Sequence, residues 1–140
     1  IAILTATILS PILMDYIYPN APPSKAEIEF TQIPPLGTSN LLIGRVTNMS
    51  PAEYQNHKIA VYIYVNGQGW WGPKPYSTDT VMINPDGTWH ANIVTGGYDA
   101  YATRIAAILV PSSVPLPFLT GIESFPPYEF REYPITYTGR

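Results

Sequence analysis

Two sets of side chains in this sequence could do chemistry. His57, His90 and ten carboxylates could move protons or hold a metal, while Trp70, Trp71 and Tyr76, within GQGWWGPKPY (67–76), could hold a flat ligand. The histidines stand in separate segments, and neither belongs to a two-histidine metal spacing such as H-x-x-x-H. Glycoside hydrolysis needs only two facing carboxylates, yet none here is embedded in an acid/base motif, and Asp86 and Asp99 read as turn residues. No G-x-S-x-G elbow or phosphate-cradling glycine loop is present. The expectation is a protein that is not an enzyme, with no cofactor and no metal.

The aromatic set is more promising. Rings presented from a stretch stiffened by Gly and Pro offer flat faces on which the C–H side of a pyranose stacks, which makes Trp70, Trp71 and Tyr76 a candidate glycan platform. Neighbouring residues on a strand point to opposite faces, so the competing expectation puts one tryptophan in the core and the other over a loop.

These residues need elements to position them. At 140 residues the chain is one domain's worth, and its sixteen prolines and ten glycines interrupt it too often for long helices. Strand-sized runs recur between turn residues at 27–33, 40–47, 58–65, 80–83, 88–94, 104–110 and 128–138. In KIAVYIYV, alternation places Ile59, Val61, Ile63 and Val65 on a core face, with Ala60, Tyr62 and Tyr64 on an outer, tyrosine-lined one. NPDGTW (84–89) and Asn66-Gly67 read as turns with glycine where φ must be positive. The expected fold is all-β: a single immunoglobulin-like β-sandwich of about seven strands with an N-terminal extension strand, a jelly roll being the alternative.

Charge narrows the partners. A net charge of −3, with seven basic residues scattered singly, gives no stripe for nucleic acid and no polybasic cluster for a membrane surface. Zero cysteines exclude disulfides and thiolate metal sites. Low charge with abundant Thr, Ser, Pro and Tyr suits an extracellular or cell-surface location. Asn48 in NMS fits an N-glycosylation acceptor, although Pro51 directly follows.

The run from Trp70 to Pro111 resembles bacterial Ig-like modules found beside secreted glycan-active domains. The matching positions are Trp70 or Trp71 with Pro73 and Pro75, then Ile83, Asp86, Gly87 and Trp89, then the aliphatic run from Ile105 to Pro111. Turn and core signals make up the likeness, so it implies the sandwich and a carbohydrate-binding or spacer role rather than a particular ligand.

Residues 1–18 pose a separate problem. Between Ile1 and Met14 there is no charge. Pro11 and the short length argue against a transmembrane helix, so no stable membrane span is expected. As a strand, Ile1, Ile3 and Leu9 lie on one face and Leu4 and Ile8 on the other, so both faces call for burial. Exposed in water, such a strand would template aggregation. It could belong to its own sheet, or it could pair with a neighbouring subunit, the Pro-rich segment 19–26 carrying it out of a sandwich formed by 27–140.

An apolar extension ahead of an Ig-like sandwich is similar to protomers of donor-strand-assembled pili, without their paired cysteines. That resemblance implies a structural, pilus-like extracellular fibril, a homopolymer joined head to tail by donor strand exchange through Ile1, Ile3, Leu4, Ile8, Leu9, Ile12 and Leu13. Burying about five of these side chains at roughly 1.5–3 kcal/mol each would supply on the order of 10 kcal/mol before ordering costs. The expected partners are thus identical copies and glycans.

Overall fold

The computed structural model describes residues 26–76 and 81–140. The donor-strand segment 1–18, all of 19–25 and Thr80 of the 80–83 run therefore lie outside the described residues. The fold is an all-β sandwich of two antiparallel sheets. β1 (Glu27–Gln32), β2 (Leu42–Thr47) and β6 (Thr88–Ala91) form the smaller sheet in the order β1-β2-β6. The larger contains β3 (His57–Val65), β4 (Gly69–Lys74), β5 (Val81–Met82), β7 (Arg104–Pro111), β8 (Leu119–Ile122) and β9 (Ile135–Gly139). Its order is β8-β4-β3-β7-β9, with β5 pairing the start of β3. The two antiparallel layers together make a β-sandwich.

Binary pattern explains the inner core. Ile59, Val61 and Ile63 of β3, with Ile105, Ala107 and Leu109 of β7, face Ile28, Leu42, Val46, Trp89 and Ala91 of the smaller sheet, and all are buried. A mid-strand glycine weakens a sheet unless something needs the space, and Gly44 has such a neighbour. It pairs in register with Trp89, and a Cβ there would lie 2.4 Å from Trp89 Cζ2 and 2.6 Å from Glu29 O. The expected turn at 84–89 forms, with Gly87 at φ +87°. The Thr88 N–H and hydroxyl both donate to Asp86 Oδ1, at 3.0 and 2.6 Å, and hold that carboxyl below its ordinary range.

Three strand expectations need correcting. The Trp70–Trp71 stretch, outside the expected strand runs, is β4 itself, positioned by pairing with β3 and β8. Pro73 offers no N–H, and the β3–β4 register shifts between Val61 and Ile63 to accommodate the segment. The 128–138 run holds a 3₁₀ turn at Tyr128–Phe130, and strand pairing begins only at Ile135, after Pro134. β8 was not expected at all: LTGI is four residues with no alternating apolar pattern.

The largest correction concerns the outer face of the larger sheet. Ala60 and Tyr62 are fully buried and Tyr64 is half-buried, because the chain between β7 and β9 folds back over them. Leu119, Phe125, Phe130 and Tyr133 from that return pack with Ala106, Ile108 and Val110 of β7 in a second apolar core. Tyr62 sits 5.4 Å from the Phe125 ring and 5.9 Å from Phe130, and its hydroxyl donates to Pro117 O at 2.7 Å. A buried phenol finds its partner this way. The sandwich thus carries a covering layer that alternation within β3 could not reveal, since alternation identifies two faces and not what covers each.

Candidate functional site

β4 places its two tryptophans on opposite sides of the larger sheet. Trp70 is 4% exposed and stacks on Phe125 at 4.4 Å and 21°, within the second core. It presents no free face, so the platform of Trp70, Trp71 and Tyr76 does not form as one surface. Trp71 packs against the inner core and also lines a cleft. Its indole edge lies over Gly121 of β8, where a Cβ would come 3.2 Å from Trp71 Cζ2 and where φ is +102°. Only glycine at that position lets the ring lie close to the neighbouring strand.

The cleft encloses about 450 Å³, within the range of small-molecule sites. Trp71, Tyr76 and Tyr98 form its aromatic walls, and Gln68 and Thr95 contribute polar groups. Tyr98 is 62% exposed. Gly96 and Gly97 shape the rim; nothing lies within 4 Å of the Cβ either would carry, and so the main chain there stays open.

A buried ion pair forms the floor. Lys74 Nζ, at the end of β4, donates to Asp99 Oδ2 at 2.6 Å and to Thr95 Oγ1 at 2.8 Å. Lys74 is 2% exposed and Asp99 7%. The same carboxylate oxygen accepts the Thr95 N–H at 2.9 Å, so one acceptor fixes both the strand end and the rim loop. Asp99, expected as an ordinary turn residue, is the anchor of this loop. The ammonium lies 3.6 Å from the Tyr76 ring centroid, a cation–π contact in a desolvated place. Burial first, and the Asp99 charge second, push the Tyr76 hydroxyl above its ordinary value. It stays a neutral donor, reaching Leu119 O at 3.3 Å.

Arg140 secures the loop from behind. Its guanidinium donates to four main-chain carbonyls: Ala102 at 2.7 Å, Pro34 at 3.1 Å, and Asp99 and Ala100 at 3.0 Å each. Burial lowers its pKa from the usual value, as expected for a cation withdrawn from water into carbonyl oxygens. Replacing Arg140 by alanine is expected to cost about 2 kcal/mol of stability. Amide exchange should accelerate at Gly37, whose N–H is held by Ala100 O at 2.8 Å. Arg140→Lys should restore little, because one ammonium does not reproduce a planar fork of donors.

The remaining candidates stay apart from the cleft. His57 is buried at the start of β3, where its Nδ1–H donates to Glu53 O at 2.7 Å behind the short helix α1 (Pro51–Tyr54). His90 is exposed on β6 of the other sheet. Asn48 is exposed at φ +61°, a left-handed position asparagine tolerates, while Ser50 beside it caps α1 and donates to Glu53 Oε1 at 2.8 Å. Among the described residues no group of three metal-ligating side chains occurs, and no helix is long and apolar enough to cross a membrane. Sequence reasoning missed Tyr98, Gln68 and the Lys74–Asp99 pair. The Gly96-Gly97-Tyr98 run was the available signal, an aromatic residue directly after a loop that two glycines free from side chains.

No protein-family model, curated protein or solved structure matches this chain.

Proposed function

We propose that this chain is a carbohydrate-binding β-sandwich module acting outside the cell, with the cleft beside Trp71 as its site. The observation that carries the reading is an aromatic-walled cavity whose buried charges cancel. Lys74 and Asp99 neutralise one another at its floor, which disfavours an ionic ligand. Rings at Trp71, Tyr76 and Tyr98 with amide and hydroxyl groups at Gln68 and Thr95 suit a neutral, polyhydroxylated molecule with apolar C–H faces.

The test is binding of the full chain to neutral gluco-, xylo-, manno- and galacto-oligosaccharides on a glycan array, followed by titration calorimetry on the sugars retained. Tyr98→Ala and Trp71→Ala are each expected to weaken binding roughly tenfold or more. Tyr128→Ala, at a residue 76% exposed outside the cleft, should change nothing. Failure of the wild-type chain to retain any of these sugars would overturn the proposal.

A second reading, the structural subunit of an extracellular filament, draws on the uncharged run Ile1–Met14. β9 already pairs with β7, and this position is filled by the chain's own residues. In this reading the segment therefore adds to an outer edge of a neighbouring copy, at β1 or β6 of the smaller sheet or at β8 or β9 of the larger. Electron microscopy of the full chain at high concentration tests it: filaments are expected, and they should vanish when residues 1–14 are deleted.

A further inference from the structure

Phe118 is an exposed ring held by an unusually fixed backbone. It is 64% exposed, yet both flanking carbonyls are fastened: Pro117 O accepts the Tyr62 hydroxyl at 2.7 Å, and Leu119 O accepts the Tyr76 hydroxyl at 3.3 Å. Leu119 is also the first residue of β8, paired with Gly72 of β4. The Phe118 ring packs on Tyr76 at 5.0 Å and 32°, and Tyr76 packs on Lys74 at the cleft floor. Packing of Phe118 in the fold does not require that much of its ring to face water. Ordering an apolar ring in water gains nothing for folding, whereas it removes an ordering cost from binding.

Resting on the carbohydrate reading of the cleft, we propose that Phe118 is a second sugar subsite and that the ligand is an oligosaccharide chain rather than a single sugar. Tyr76 is the shared element: it lines the cleft and supports Phe118. A chain seated between Trp71 and Tyr98 leaves the cleft past Tyr76 and lays its next unit on the outer face of Phe118. Among the described residues no charged side chain belongs to this stack except Lys74, which Asp99 neutralises, so the ligand is neutral along its length.

The experiment is calorimetry of the full chain with ladders of cello-, xylo- and manno-oligosaccharides, from monosaccharide to hexasaccharide, for wild type, Phe118→Ala and Phe118→Tyr. For the ladder that binds, affinity is expected to rise about tenfold on lengthening beyond the unit that fills the cleft. Phe118→Ala should abolish that rise and leave the short sugars unaffected, while Phe118→Tyr keeps it. Thermal melts of both variants should match wild type, given the exposure of the ring. Affinity independent of chain length, or a rise that survives Phe118→Ala, would overturn the second subsite and leave the cleft reading standing. Absence of binding by every ladder would overturn the second subsite, and absence of retention on the array as well would overturn both.

Discussion

Asp99→Ala is expected to lower the unfolding free energy by about 3–5 kcal/mol, the cost of leaving a buried charge without its counterpart. Lys74 would keep only the Thr95 hydroxyl and the face of Tyr76. The Thr95 N–H would also lose its acceptor, and that loosens the rim of the cleft. Against a total of about 5–15 kcal/mol for a domain of ordinary stability, this is a large fraction. Lys74→Met should cost less, because the carboxylate left behind keeps the Thr95 N–H and hydroxyl as donors. Replacing both, as Lys74→Met with Asp99→Leu, should recover part of the loss, since removing a buried pair together avoids the unpaired charge. Urea denaturation of the four proteins checks the ordering. Equal destabilisation by both single changes would show that packing, and not charge, holds the floor.

Trp89→Ala is the second large effect, at about 3–5 kcal/mol for emptying an aromatic site in a closed core. Trp89 is 1% exposed, lies over Gly44, and meets Phe30 edge-on at 6.1 Å. Its indole Nε1 is buried without a hydrogen-bond partner. Trp89→Phe should therefore cost much less, trading lost volume against relief of an unsatisfied donor. Gly44→Ala should cost about 1–3 kcal/mol by overpacking. The double variant Gly44→Ala, Trp89→Ala should fall short of the sum, because the added methyl enters space the indole has vacated. Rescue stays partial, as Glu29 O remains 2.6 Å from the new Cβ. Strict additivity in denaturation experiments would mean that the two residues do not share this volume.

Both effects show where sequence reasoning succeeds and where it stops. Alternation in KIAVYIYV identified the inner residues Ile59, Val61 and Ile63, because one face of a strand must meet the core whatever the rest of the chain does. Asp86 and Gly87 marked their turn through purely local chemistry, a carboxylate accepting from Thr88 and a residue at positive φ. The split between Trp70 and Trp71 was equally local, following from the two-residue period of a strand.

What local pattern could not supply was the company each face keeps. Tyr62 and Ala60 became core because a segment more than fifty residues downstream returned to cover them, and nothing in β3 itself encodes that return. Lys74 and Asp99 are 25 residues apart, each unremarkable alone. Their pairing exists only because β4 and the loop before β7 end at the same corner of the sandwich. The sequence by itself determined β1, β2, β3 and β7, the turns and the inner core, since period, glycine and proline act over a few residues. Only the tertiary structure decided the second core, the neutral cleft and the exposed ring beside it, since burial and charge compensation depend on which distant segments meet.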